Sequence, residues 1–231
     1  MKPSYIYFDL DNTLLDHSSA ESKAQQATYE QYPELQKVEL DIWLSKYKKV
    51  NHNLWNQYQQ GLVDRHQLQF SRFNDTMLQL ELSASRSTEI GNSYMQNYQK
   101  YWSWVEGVEE SFSKISGSFE VGLITNGFKE TQLKKYKHLS LDRYSDVMIV
   151  SEDVGKMKPH PMVFDHATEA AGVPREEILY VGDSYSSDIV GGNNAGWKTA
   201  WYTALITKNG EEDIADFEFD NFDELLTILD L

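Results

Sequence analysis

The chain contains no cysteine. Disulfides, thiolate nucleophiles and cysteine-held metals are therefore excluded, and a reducing compartment fits. Positive charge is scarce: 21 Lys plus Arg stand against 36 Asp plus Glu, a formal net charge of −15 over 231 residues. Non-specific affinity for nucleic acid comes from Lys and Arg displacing counterions from phosphates, so no nucleic-acid partner is expected. An anionic membrane surface is disfavoured for the same reason. Long apolar runs are missing too. No stretch approaches the ~20 apolar residues of a membrane span. Met1-Lys2-Pro3 leads only into the short run Tyr5 to Phe8, so no secretory leader is expected. The expectation is a cytoplasmic protein, a monomer or small homo-oligomer. Hydrophobic residues make up 40% and charged residues 25%, the balance of a globular chain.

The apolar run Tyr5-Ile6-Tyr7-Phe8 shows no alternation and reads as a strand buried on both faces. Residues 16 to about 101 carry helical periodicity instead. Leu40, Trp43, Leu44, Tyr47, Val50, Leu54 and Tyr58 form one stripe, ended by Gly61; Asp64 can cap the next helix. Phe70, Phe73, Met77 and Leu80 form a second stripe, and Ile90, Tyr94, Tyr98 and Trp102 a third. With an earlier helix running to about Tyr32, this predicts an all-helical module of about four helices. From 105 onward the pattern alternates. Helices over 108–116, 128–138, 161–171, 186–195 and 222–229 are predicted, with strands over 119–124, 146–150, 178–182 and 198–202. Strands separated by helices imply a mainly parallel sheet. The predicted fold is α/β: a Rossmann-like core of residues 1–15 and 105–231, with 16–104 inserted as a helical domain.

In such a sheet, ligands bind beyond the carboxyl ends of the strands. The first strand ends in Asp9-Leu10-Asp11-Asn12-Thr13 and the second in Thr125-Asn126-Gly127. After 146–150 comes Ser151-Glu152-Asp153-Val154-Gly155-Lys156-Met157-Lys158-Pro159. Strand 178–182 ends in Gly182-Asp183-Ser184, with Asp188 beyond. Taken singly, each has an ordinary explanation as a turn, a loop or a helix cap. Together, in this order, with carboxylates on the first and last, they point to one chemical site.

These residues resemble the haloacid dehalogenase superfamily of hydrolases, over the whole chain. Asp9-Leu10-Asp11-Asn12-Thr13 resembles the family's DxDxT nucleophile motif, Thr125 its second motif, Lys158 its lysine, and Gly182-Asp183 with Asp188 its acidic motif. The helical insertion resembles the family's first-type cap. Among branches, Thr-Asn-Gly, Ser-Glu-x-x-Gly-x-x-Lys-Pro and Gly-Asp-Ser-x-x-x-Asp-Ile are most similar to the pyrimidine 5′-nucleotidase group.

The resemblance implies a phosphatase in which Asp9 is the nucleophile and forms an aspartyl-phosphate. Asp11 would be general acid and then base. Thr125 and the backbone N–H of Asn126 would hold phosphoryl oxygens, and Lys158 would neutralise charge. Two or three carboxylates at one sheet edge need a cation between them, and oxygen ligands favour Mg²⁺ over Zn²⁺. Asp9, the Asp11 backbone carbonyl and Asp183 are the implied ligands. Asp188 either orients Lys158 or a metal-bound water, or is a solvated first-turn carboxylate. In the dehalogenase branch the Asp11 position is not an acid, so Asp there favours an oxygen leaving group. The expected substrate is a small phosphorylated metabolite, first a pyrimidine nucleoside 5′-monophosphate. A sugar phosphate, phosphoglycolate or pyrophosphate, a phosphomutase reaction, and a non-catalytic binding module are the alternatives. Tyr47, Trp55 or Tyr58 would be candidates for stacking on a base. Lys134, Lys135 and Lys137 are read as one solvated helix face.

Overall fold

The computed structural model describes residues 2–206 and 214–231. β1 (Tyr5–Phe8) has every side chain buried, as an apolar run without alternation requires. The chain then turns tightly. Asn12 sits at φ 62, and its N–H donates to the Leu15 carbonyl at 2.7 Å. Asparagine tolerates that left-handed backbone better than most residues. Leu15 bridges Trp104, Val105 N–H donates to Leu14 O at 2.8 Å, and Asp16 N–H donates to Ser103 O at 3.0 Å. The outgoing and returning chain therefore run side by side at this junction.

Two compact units result: Met1–Asp16 with Ser103–Leu231, and His17–Trp102. The second is all-helical, with α1 (His17–Gln31), α2 (Leu40–Gln59), α3 (Arg65–Gln79) and α4 (Ser87–Lys100). Asp64 starts α3 through a capping box with Gln67. Trp43 and Tyr47 of α2, Phe73 of α3 and Tyr94 of α4 form an aromatic cluster with ring centroids 5.0 to 6.4 Å apart. Tyr47 is thus core, while Trp55 and Tyr58 stack edge to face, half-buried. The predicted stripe of α3 is corrected. Leu68, Arg72, Phe73, Thr76 and Met77 face inward, and Phe70 is 51% exposed. Pattern reading counts Arg and Thr as outward residues. Here the Arg72 guanidinium lies 5.3 Å from the Tyr94 ring centre, and the Thr76 hydroxyl donates to the Arg72 carbonyl at 2.6 Å. With those polar groups accommodated, the buried face rotates towards them.

The other unit continues with α5 (Val108–Ser116), β2 (Glu120–Thr125), α6 (Lys129–His138), β3 (Met148–Val150), α7 (Ser151–Val154), α8 (Pro161–Ala171) and β4 (Ile178–Gly182). A wide π-helical turn over Tyr185–Ile189 runs into α9 (Val190–Asn194), followed by β5 (Lys198–Tyr202), β6 (Phe217–Phe219) and α10 (Phe222–Ile228). All six strands are parallel, in the order β3-β2-β1-β4-β5-β6. This is the Rossmann-like core expected. Four details differ. The helix expected over 186–195 opens as the π-helical turn. β3 is shorter, because Ser145 Oγ donates to Val121 O at 2.6 Å and accepts from Val147 N–H at 3.0 Å, holding the chain before the strand in a turn. The Ser151–Val154 segment, read as loop, closes one helical turn. The three-residue β6 carries too short a pattern to be predicted.

From β1 the chain winds outwards through β2 to β3; from β4 it winds the other way through β5 to β6. The order reverses between β1 and β4, which opens a crevice at their carboxyl ends. Register pairs Phe8 with Val181, so Asp9 and Asp183 emerge there as neighbours. Among the described residues, no helix is long and apolar enough to cross a membrane.

Candidate active site

Asp9 is the first residue past β1, and its N–H donates to Val181 O at 2.8 Å, continuing the sheet ladder by one bond. Its carboxylate meets Lys158, whose ammonium lies 2.6 Å from Asp9 Oδ1, 2.7 Å from Asp188 Oδ1, 2.6 Å from the Tyr180 hydroxyl and 3.1 Å from Ile124 O. Lys158 is buried among these oxygens. Its loop is held by Asn126, whose side chain both donates to the Lys158 carbonyl (3.0 Å) and accepts from the Lys158 N–H (2.8 Å). Asn126, chosen for its backbone N–H, thus also anchors the lysine. Thr125 ends β2, buried, its hydroxyl accepting from Gly127 N–H at 3.3 Å.

Asp183 follows β4, and Trp201 Nε1 donates to its carbonyl at 2.9 Å. The π-helical turn folds Asp188 back, so that it accepts from Ser184 N–H at 3.0 Å and from the Tyr180 hydroxyl at 3.1 Å. π-turns concentrate at functional sites. A Cβ on residue 182 would stand 2.3 Å from Asp188 Oδ2, so only glycine leaves room for that return. Of the two readings of Asp188, the solvated carboxylate is excluded: the residue is buried and ion-paired to Lys158.

Oxygens of Asp9, Asp183 and Asp188 all lie within 4.8 Å of one another. Three carboxylates face one ammonium, and the imbalance shows in the proton affinities of Asp9 and Asp183. Burial pushes the Asp9 carboxyl up to about 7; Lys158 pulls against this, while Asp188 and Asp11 add to it. Burial, then Asp9 and Asp188, hold Asp183 well above the usual range. Burial works against the Lys158 charge, but Asp188 and Asp9 outweigh it and keep the ammonium protonated. An all-oxygen donor set with surplus negative charge fits a hard divalent cation.

Asp11 is held separately. Its Oδ1 is 2.5 Å from Lys135 Nζ, and its Oδ2 accepts from Gln132 Nε2 at 2.8 Å. The expected solvated lysine face is therefore corrected. Lys134 and Lys137 are exposed, whereas Lys135, one turn from Gln132, points inward with 3% of its side chain accessible. A three-residue step along α6 puts Gln132 and Lys135 on one side, and Asp11 gives that side its partner. The structure thus brings Asp9, Lys158, Asp183 and Asp188 into one cluster, and pairs Asp11 with α6 beside it. Sequence reasoning missed Tyr180, Gln132 and Lys135. The i, i+3 pair directly after Thr125-Asn126-Gly127 was the available signal for the last two; Tyr180, inside an apolar strand, offered none.

A family model of haloacid dehalogenase-like hydrolases matches residues 6–202. Pyrimidine 5′-nucleotidase YjjG of Escherichia coli (strain K12) is 33% identical over 212 residues, 88% of each chain. Pyrophosphatase PpaX of Bacillus cereus (strain AH820) is 29% identical over 239 residues, 99% of this chain and 97% of its own. The crystal structure of the HAD-hydrolase YfnB from Bacillus subtilis bound to magnesium superposes with a TM-score of 0.86 at 27% identity, covering both chains fully. A 2-haloacid dehalogenase from Pseudomonas syringae pv. Tomato DC3000 superposes at 0.68 and 22% identity over 100% of this chain and 99% of its own, a likeness of fold alone.

Proposed function

The chain belongs to the haloacid dehalogenase-like hydrolase family, and from that premise we propose a Mg²⁺-dependent phosphatase for small phosphate monoesters, first of all pyrimidine nucleoside 5′-monophosphates. The observation that carries this reading is a second acid, Asp11, on the loop that also presents Asp9 to Lys158. A halide leaves without a proton; an alkoxide does not.

An oxygen of Asp9 attacks phosphorus, and the bond from phosphorus to the ester oxygen breaks. Asp11 gives its proton to that leaving oxygen. In the second half, Asp11 takes a proton from the attacking water, the bond between Asp9 and phosphorus breaks, and phosphate leaves. Thr125 and the Asn126 N–H bind phosphoryl oxygens. Lys158 neutralises charge on Asp9 and the phosphoryl group, and Asp188 with Tyr180 keeps its ammonium in place. Asp9, the Asp11 carbonyl and Asp183 would hold Mg²⁺, which when bound supplies positive charge against the substrate dianion. A cytoplasmic location belongs to the same reading, since small phosphorylated metabolites and Mg²⁺ are held there.

The pyrophosphatase relative favours pyrophosphate as a second substrate. The test is hydrolysis of p-nitrophenyl phosphate with Mg²⁺ and with chelator, then a panel of phosphorylated metabolites ranked by kcat/KM. The expected result is chelator-sensitive release, with pyrimidine monophosphates ranked first. Folded protein that releases no phosphate at any Mg²⁺ level would overturn the reading in favour of a binding module. A higher rank for pyrophosphate or a sugar phosphate would move the substrate within the phosphatase reading.

A further inference from the structure

The Asp11 carboxylate is gripped at both oxygens by one side of α6, and the grip is built in at some cost to the fold. Lys135 is a buried lysine on a helix whose other lysines, 129, 134 and 137, are exposed. Gln132 is buried as well, and its Oε1 has no partner among the described residues; the amide is spent on Asp11. Room for that amide exists only because residue 127 is glycine. A Cβ there would fall 1.6 Å from Gln132 Nε2. Two donors on two different oxygens fix the carboxyl plane, which one contact would leave free to swing.

We propose that Gln132 and Lys135 are positioning residues that aim the Asp11 carboxyl at the leaving oxygen, and that the device suits the enzyme to esters of ordinary alcohols. An alkoxide is a poor leaving group and needs a proton delivered in line as the bond breaks. An aryl oxide such as p-nitrophenolate leaves unaided. Loss of aim therefore costs turnover on alkyl esters and little on aryl ones. The inference rests on Asp11 being the general acid.

The experiment compares kcat and KM for uridine 5′-monophosphate and p-nitrophenyl phosphate in the wild type, Lys135→Met, Lys135→Arg, Gln132→Met and Asp11→Asn. Lys135→Met and Gln132→Met are expected to lower kcat at least about tenfold further on the alkyl ester than on the aryl ester, with KM within about twofold. Lys135→Arg, which keeps a cationic donor, should restore most of the loss. Asp11→Asn should show the same split, larger. If Asp11→Asn shows the split and neither Lys135→Met nor Gln132→Met does, the positioning role is overturned and the general acid stands. If Asp11→Asn lowers both substrates alike, the general-acid reading itself fails. Should Lys135→Met not fold, Gln132→Met, of similar volume and lacking the donor, decides the question alone.

Discussion

Two lysines meet the two carboxylates of the first loop, in opposite settings. Lys158 comes from a loop and is sealed with Asp9 and Asp188, its ammonium shared among four oxygens. Lys135 comes from a helix and is itself buried, but its partner Asp11 keeps 26% of its side chain exposed. A charge that only has to stay in place is best enclosed on every side, where nothing screens it. A carboxyl that exchanges protons with substrate and water needs one open edge. The same residue pair, Lys with Asp, thus serves two ends, and burial of the carboxylate separates them.

The comparison is broken most severely from the enclosed side. Asp9→Asn keeps shape and removes the nucleophile, so kcat on p-nitrophenyl phosphate should fall about 10³-fold or more with the circular dichroism spectrum unchanged. Lys158→Met leaves Asp9 and Asp188 buried without their cation. Urea titration should show a loss of about 3–5 kcal/mol, the size seen when one partner of a buried pair is removed. On the open side, Asp11→Asn should slow alkyl phosphates by about 10²-fold; it also takes the counter-charge from buried Lys135, at a smaller loss of stability than Lys158→Met because the amide oxygen can still accept from the ammonium and the Asp11 edge is open to water. Gly127→Ala sharpens the contrast further. The added methyl displaces Gln132 and should cost about 1–3 kcal/mol by overpacking, seen as a lower Tm.

The smallest effect is one of pH. Burial raises Asp9 from its ordinary 3.8 to about 7, so folding favours its protonated form. That contribution is complete below pH about 4 and is lost as pH rises through about 7, so metal-free protein should melt at lower temperature at pH 8 than at pH 5. Asp183, raised for the same reason, acts in the same direction. Added Mg²⁺, which favours the ionised carboxylates, should shrink the difference. A Tm that climbs over this range without metal would contradict the charge surplus at the crevice.

The enclosed half of the site was largely legible in the sequence. Asp9, Thr125 and Asp183 lie at or just beyond strand ends, with Lys158 on the loop that follows β3 and α7, and strands announce themselves by apolar runs. The order in which such strands pack then decides which ends meet. The open half was not. Lys135 belongs to a run of basic residues on a polar helix, and composition alone assigns such a run to water. Its burial depends on a partner more than a hundred positions earlier, Asp11, which helical periodicity cannot see. The inward turn of Arg72 in the helical unit was hidden for the same reason, since its surroundings are the rings of Phe73 and Tyr94. Tyr180 was hidden differently: it lies inside an apolar strand with its ring packed on Phe164 and Trp197, and only the hydroxyl reaches the lysine.

The paired backbone at Leu14–Asp16 and Ser103–Val105 is a doorway with a fixed frame. Chain leaves and returns through neighbouring hydrogen bonds, so the sheet closes irrespective of how much polypeptide is strung between them. Lengthening such an excursion costs the fold little, because closure entropy grows only with the logarithm of its length. What hangs from this frame can therefore grow or shrink while the strand ends, and the carboxylates on them, stay where they are.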